Sequence, residues 1–341
     1  MAADATDAVR ASRVHGVWRV VRLAARTLLN VTFLLGSLIA FPSCLPWLIA
    51  LWLGWHTVEL WRGRSGWLPL VACVALLLLK RADWPPTLLL LMLTMLAEAG
   101  TLAIVTNRRK AAPTARVRAL FGLTLWGVWA LAAVQWHYAA HRSGTPLPLS
   151  SRPVVCLGDS LTSFVSPEGG YPRELQQRLA VPVLNWGEPG SKTQDALRKL
   201  PQLAAVKPLA VVIELGGNDF LEGRSRAEIR ANLETIIAAA DEVGAAVVLF
   251  EVPRGLVIDP FGGLERGMAR ERDLELVPDT AIRNLVLWGR VSPLGKWIGP
   301  ALSDDGLHPN ELGDRYLATW VADALVRLYG KKILAANGSP R

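Results

Sequence analysis

The pattern of apolar and polar positions changes near residue 140. Before it, apolar residues run in long unbroken stretches; after it, short apolar runs alternate with amphipathic segments. The stretches 85–105 and 119–140 each reach the roughly 20 residues that a helix needs to cross a bilayer. The stretch 66–82 is shorter and ends near Lys80 and Arg81, whose long stems let a charge snorkel to the surface. Residues 23–61 are too many for one helix and carry Pro42 and Pro46. Proline removes a backbone donor and clashes with the preceding turn. The pattern there predicts a tight turn at 41–46 between helices at 23–41 and 45–61. Residues 1–140 thus read as an all-α membrane region of five transmembrane helices, the alternative being four, with 23–61 crossing once and the basic 108–118 loop outside. Glu98, Asn30 and Gln135 fall at or near membrane depth. No cluster of ionisable partners accompanies them, so a helix–helix hydrogen bond is the expected role rather than a relay.

Residues 141–152, with Pro146 and Pro148, read as a short extended linker. Beyond them, apolar runs at 154–157, 183–186, 209–215, 245–251 and 274–277 read as strands. Helical spacing marks 171–180, 193–205, 227–243 and 311–329. Strands alternating with helices predict a parallel sheet covered on both faces over 153–331, with 332–341 as a tail. In such sheets a site forms at the carboxyl ends of the strands.

Charge sharpens this division. The formal net charge is +8, yet residues 1–118 hold fourteen Lys/Arg against five Asp/Glu, and the remainder holds 23 against 24. A nucleic-acid binder spreads its cations over a folded face. Here the excess lies in the most apolar part, so the expected partner is a lipid bilayer and not nucleic acid. With five spans, the arginines before the first span, Arg62, Arg64 and the basic residues of 108–118 share one side. Positive charge marks the cytoplasmic side of an inner or plasma membrane, which puts the second half on the periplasmic or extracellular side. Ten of the 14 Trp occur by Trp136, several at the ends of apolar runs, as interfacial aromatics do. Cys44, Cys73 and Cys156 outline no disulfide framework.

Four polar segments bracket the predicted sheet. Gly158-Asp159-Ser160-Leu161 follows the first strand, 185–190 closes the second, Gly216-Gly217-Asn218-Asp219 follows the third, and 304–310 precedes the last helix. All four read as loops. A serine hydroxyl is a weak nucleophile and needs an adjacent base. Of the five histidines, only His308 lies within 153–331. Asp305, three residues earlier, can bend back to hold its imidazole. Attack on an ester creates an oxyanion that needs donors in place, and the Ser160 N–H, the Gly190 N–H and the Asn218 amide are candidates. Blander roles are expected around them. Asp159 reads as a loop brace, Asp304 as a solvated neighbour, Asp219 as a brace for Asn218 and Trp186 as packing. Arg254 reads as a surface salt bridge and Cys156 as a buried strand residue.

Together, in this order, these blocks resemble the SGNH/GDSL hydrolase family over 154–330, and within it the thioesterase/lysophospholipase-like arylesterase branch. The resemblance implies a flavodoxin-like three-layer α/β/α domain. It implies Ser160 as nucleophile, His308 as base and Asp305 as the acid that orients it. It implies an oxyanion hole of Ser160, Gly190 and Asn218, with no metal and no cofactor. The stretches 253–267 and 286–300 depart from the family pattern and are expected to shape the pocket. The expectation is a membrane-anchored esterase that cleaves an acyl ester or thioester of a small molecule, lipid or glycan. Its rivals are an O-acyltransferase or deacetylase of envelope glycans or lipids, and a non-catalytic membrane scaffold.

Overall fold

A computed structural model describes residues 28, 31, 32, 35, 45–61, 71–73, 75, 76, 122, 124, 126, 127, 129, 141–163, 169–255, 259–297 and 299–336. Five strands, β1 (Val154–Gly158), β2 (Val183–Gly187), β3 (Ala210–Glu214), β4 (Ala246–Phe250) and β5 (Glu275–Val277), form one sheet in the order β2-β1-β3-β4-β5. Every pairing is parallel, and Gly158 lies level with Gly187 and Glu214, so β1, β2 and β3 end together. β1 and β3 are buried throughout while the edge strand β2 is only half-buried. Their β-branched, near-continuously apolar sequences suit a sheet covered on both faces.

Alternation along the strands divides the core. Val154, Cys156, Val212, Val248 and Phe250 face one layer, and Val155, Leu157, Val211, Ile213, Val247 and Leu249 face the other. After α1 (Leu45–Trp61), the first layer is built by α2 (Gly170–Gln176), which contributes Tyr171 and Leu175. The opposite layer follows with α3 (Thr193–Ala196), α4 (Leu200–Val206), and, after the one-turn α5 (Gly217–Leu221), α6 (Arg226–Glu242) and α7 (Leu264–Arg272). The chain then returns to the first layer through α8 (Thr280–Leu287), passes the short α9 (Pro293–Trp297), and closes with α10 (Glu311–Tyr329). The strand order is that of flavodoxin-like sheets, whose switch point lies between the first and third strands.

The structure differs from the sequence reading in instructive places. The single helix expected at 193–205 is split into α3, a 3₁₀ turn at Leu197–Lys199, and α4. Pro201 lies in the first turn of α4, where its missing N–H interrupts a continuous α ladder. The Gly216–Asp219 segment is not wholly a loop, because α5 begins at Gly217. The stretch 253–267 holds the start of α7, and 286–300 holds the end of α8 and all of α9.

The expected second span coincides with α1. Among the described residues no helix is long and apolar enough to cross a membrane. The expected spans at 23–41, 66–82, 85–105 and 119–140 lie outside the described residues, apart from isolated helical positions.

Residues 141–152 lie against the domain. The buried Glu275 carboxylate, at the start of β5, accepts from the Arg142 N–H at 3.1 Å, contacts His141 Nδ1 at 2.9 Å and accepts from Arg327 Nε at 2.5 Å. Ser143 donates its N–H and hydroxyl to Asp273 at 2.7 and 2.8 Å. The Leu147 N–H donates to Leu328 O, and Leu147 and Leu149 pack on the core. Arg152 donates to the Val243 and Gly244 carbonyls, just before β4. All these contacts lie at the amino edge of the sheet. At the other terminus, Ile333 O accepts from the Ala180 N–H, and the Ala335 N–H donates to Arg178 O.

Candidate active site

The carboxyl edge of β1 turns at once. The Asp159 carbonyl accepts from the Thr162 and Ser163 N–H groups at 3.2 and 3.1 Å, which curls the chain beneath Ser160. Gly158 permits this fold, since a Cβ there would lie 2.0 Å from Thr162 Oγ1 and 2.9 Å from Glu214 O. Ser160 is left half-buried at the rim.

His308 comes from the segment that leads into α10. Its Nε2 is 3.1 Å from Ser160 Oγ, and its Nδ1 is 2.6 Å from Asp305 Oδ2. An ionised carboxylate only accepts, so the ring proton sits on Nδ1 and Nε2 presents its lone pair to the serine hydroxyl. Asp305 Oδ1 also accepts from the Leu307 N–H, the His308 N–H and the Ser303 hydroxyl. Partial burial opposes ionisation, but the bond from the His308 ring and these further donors outweigh it and hold Asp305 below the usual carboxylate range. Asp304 points elsewhere, to Arg290 at 3.0 Å and Asn310 Nδ2 at 3.1 Å. The segment is backed by the chain around α9. The Arg290 N–H donates to Ser303 O, the Leu302 N–H to Trp288 O, and the Asn310 N–H to Leu302 O.

The expected oxyanion donors fall on neighbouring ends of the sheet. Among the described residues neither the Ser160 N–H nor the Gly190 N–H has an acceptor. Gly190 lies exposed beyond β2 with φ +78°. Asn218 sits in α5, and its Nδ2 donates to Asp159 Oδ2 at 2.9 Å and to Ser191 O at 3.2 Å. Because both partners are acceptors, the amide has one acceptable orientation. Asp159 therefore does more than brace its own loop. Its Oδ1 accepts from the Leu161 N–H at 2.9 Å while its Oδ2 holds Asn218.

Asp219 faces away from Asn218's partners. It accepts from the Thr193 N–H and hydroxyl at 2.9 and 2.6 Å, clasping the start of α3. Trp186 is partly buried against the core, and Cys156 is fully buried, its thiol pushed up to about 12 by burial. Arg254 is not the surface salt bridge expected from the sequence. It is fully buried, pairs with Glu265, and donates Nε to Gly216 O at 3.0 Å, so it backs the turn that carries Asn218. Ser303 and Glu214, two further polar residues, are fully buried beside this line of residues. An acid closing the β-branched run 210–214 was the available signal for Glu214.

The chain is similar to several known proteins. A model of the GDSL-like Lipase/Acylhydrolase family matches residues 156–316. An arylesterase of Vibrio mimicus is 31% identical over 191 residues, covering 52% of this chain and 90% of that protein. Esterase TesA of Pseudomonas aeruginosa is 32% identical over 144 residues, covering 38% of this chain and 71% of that protein. Among solved structures, a crystal structure of TesA has a TM-score of 0.44 at 28% identity, covering 52% of this chain and 99% of that one. The parallel α/β fold and these relatives define an ester hydrolase. The chain belongs to the GDSL-like lipase/acylhydrolase family.

Proposed function

We propose that the chain is a membrane-anchored serine esterase whose triad is Ser160, His308 and Asp305. The unbroken hydrogen-bonded line from Asp305 through His308 to Ser160 carries this reading. Ser160 Oγ forms a bond to the acyl carbonyl carbon while its proton passes to His308 Nε2. Asp305 holds the resulting imidazolium. The carbonyl oxygen gains the negative charge and meets the Ser160 N–H, the Gly190 N–H and Asn218 Nδ2. Collapse breaks the bond to the leaving oxygen or sulfur, which takes the proton from His308. Water, deprotonated by His308, then cleaves the acyl-enzyme and restores the serine. At rest both Asn218 amide hydrogens are used, and the longer bond, to Ser191 O, is the one that opens for the oxyanion.

The substrate class is an acyl ester or thioester of a lipid, glycan or small molecule. The names of the relatives, arylesterase in one case and thioesterase 1/protease 1/lysophospholipase L1 of Escherichia coli in another, support acyl chemistry of this breadth. The membrane region at 1–140 and an outward-facing hydrolase domain rest on the apolar runs and the charge asymmetry of the sequence.

A fluorophosphonate probe tests the chemistry. Wild type is expected to label at Ser160, with labelling abolished in Ser160→Ala and strongly reduced in His308→Ala. An unlabelled wild type would overturn the reading. Cysteine accessibility in intact cells tests the topology, and protection of the hydrolase domain from outside reagents, with any outer membrane permeabilised, would overturn the outward orientation.

A further inference from the structure

Glu214 ends β3 and is fully buried, on the side of the sheet covered by the layer that holds Tyr171 and Leu161. Its Oε2 accepts from the Asp159 N–H at 3.3 Å and from the Thr162 hydroxyl at 3.1 Å. Its other oxygen is buried and receives no donor among the described residues. Glu214 and Asp159 are both buried, and the Asp159 N–H that Glu214 accepts brings the two carboxyls into each other's field.

Both oxygens of Asp159 already accept, one from the Leu161 N–H and one from Asn218 Nδ2. A carboxyl that only accepts is an ionised one. Two ionised carboxylates in a dry contact repel strongly, so one proton lies between them. It belongs to Glu214, whose second oxygen is without a donor and whose O–H can point at Asp159. Burial first, and then the neighbouring Asp159, push the Glu214 carboxyl well above its usual range, in the direction the geometry requires.

We propose that Glu214 is a positioning residue of the esterase, a neutral acid whose O–H holds Asp159, which in turn orients the Asn218 amide. The relay runs from a residue under the sheet edge to a donor at the rim, without Glu214 touching the substrate. It rests on the reading of Asn218 as an oxyanion donor given above. Its value lies in rigidity. A donor set in place before reaction need not reorganise as the charge develops, and small misplacements of such groups are costly.

The test uses the full chain and a series of 4-nitrophenyl esters. Glu214→Gln keeps a neutral donor for Asp159 and an acceptor for the Asp159 N–H and Thr162. It is expected to retain kcat within about 3-fold of wild type. Glu214→Leu removes the donor and is expected to lower kcat by about 10- to 100-fold with KM nearly unchanged. In an Asn218→Ala background the same Leu substitution is expected to cost under about 3-fold, because the path to the amide is already cut. The proposal is overturned if Glu214→Leu stays within about 3-fold of wild type, if Glu214→Gln loses as much as Glu214→Leu, or if the loss is undiminished in the Asn218→Ala background. Should the leucine variant fail to reach the wild-type circular dichroism spectrum, Glu214→Met, close in length and equally without a donor, replaces it. A wild type that does not label at Ser160 sinks the serine esterase reading itself, whereas a labelled and fully active Glu214→Leu sinks only the role of Glu214.

Discussion

Gly216 shows how single positions support the chemistry. Its φ of +114° lies where side chains are strained, and a Cβ there would stand 2.2 Å from Arg254 Nη2. Arg254 in turn reaches the Gly216 carbonyl and is tied to Glu265 and, through its N–H, to Asp259 at 2.8 Å. Gly216→Ala therefore meets both backbone strain and a fixed guanidinium. It is expected to cost about 1–3 kcal/mol in urea unfolding and to lower kcat more than it raises KM, since Asn218 follows two residues later. A variant with unchanged stability and turnover would show that the turn is not clamped as described. Residues of this kind left different traces in the sequence. Ser160, Asn218 and His308 stood out because each is the right chemical type at a strand end or before the last helix. Arg254 did not, since an arginine after a strand reads as solvated unless its buried acid partners are known.

Helices were legible where burial follows apolarity and illegible where it follows charge. α6 has Ile229, Leu233, Ile236, Ile237 and Ala240 on its buried face, and its spacing was plain. α7, with the sequence LERGMARER, buries Glu265 and Arg266. Their charges are met by Arg254 and Glu251, so a pattern read on hydropathy passes over it. The closing helix α10 was expected at 311–329 and occurs there, capped by the Asn310 side chain, which accepts from the Leu312 and Gly313 N–H groups at 3.1 Å. Its first turns hold a pH-dependent element. Burial, then the nearby Glu174 carboxylate, push Asp314 up to about 7. Because its folded value is raised, the stability this group contributes is present below about pH 4 and is lost as pH rises to about 7. Asp314→Asn is expected to raise Tm by a few degrees at pH 8 and by less at pH 5. Equal shifts at both values would show that the carboxyl does not titrate abnormally.

On the scale of the whole molecule, residues 141–149 are part of the hydrolase fold rather than a free connector. The strap of residues 141–149 is fastened by Glu275, Asp273 and the Leu328 carbonyl, with Leu147 and Leu149 on the core. A fragment starting at residue 141 is expected to fold and to retain esterase activity. One starting at residue 153 is expected to lose on the order of 2 kcal/mol, from exposed leucine surface and from an under-bonded buried Glu275, read as a lower urea midpoint. Equal midpoints would mean that the strap adds nothing. The sequence showed a proline-bearing connector here; its anchoring stayed hidden, because the partners lie about 130 residues away in the chain.

The strap also fixes a direction. It enters at the amino edge of the sheet, whereas Ser160 stands at the carboxyl edge, and a five-residue strand alone spans about 17 Å. Residues 141–149 thus hold the amino edge of the sheet, opposite the rim that carries the reactive serine. Changes confined to the strap are therefore expected to alter stability and to leave kcat unchanged.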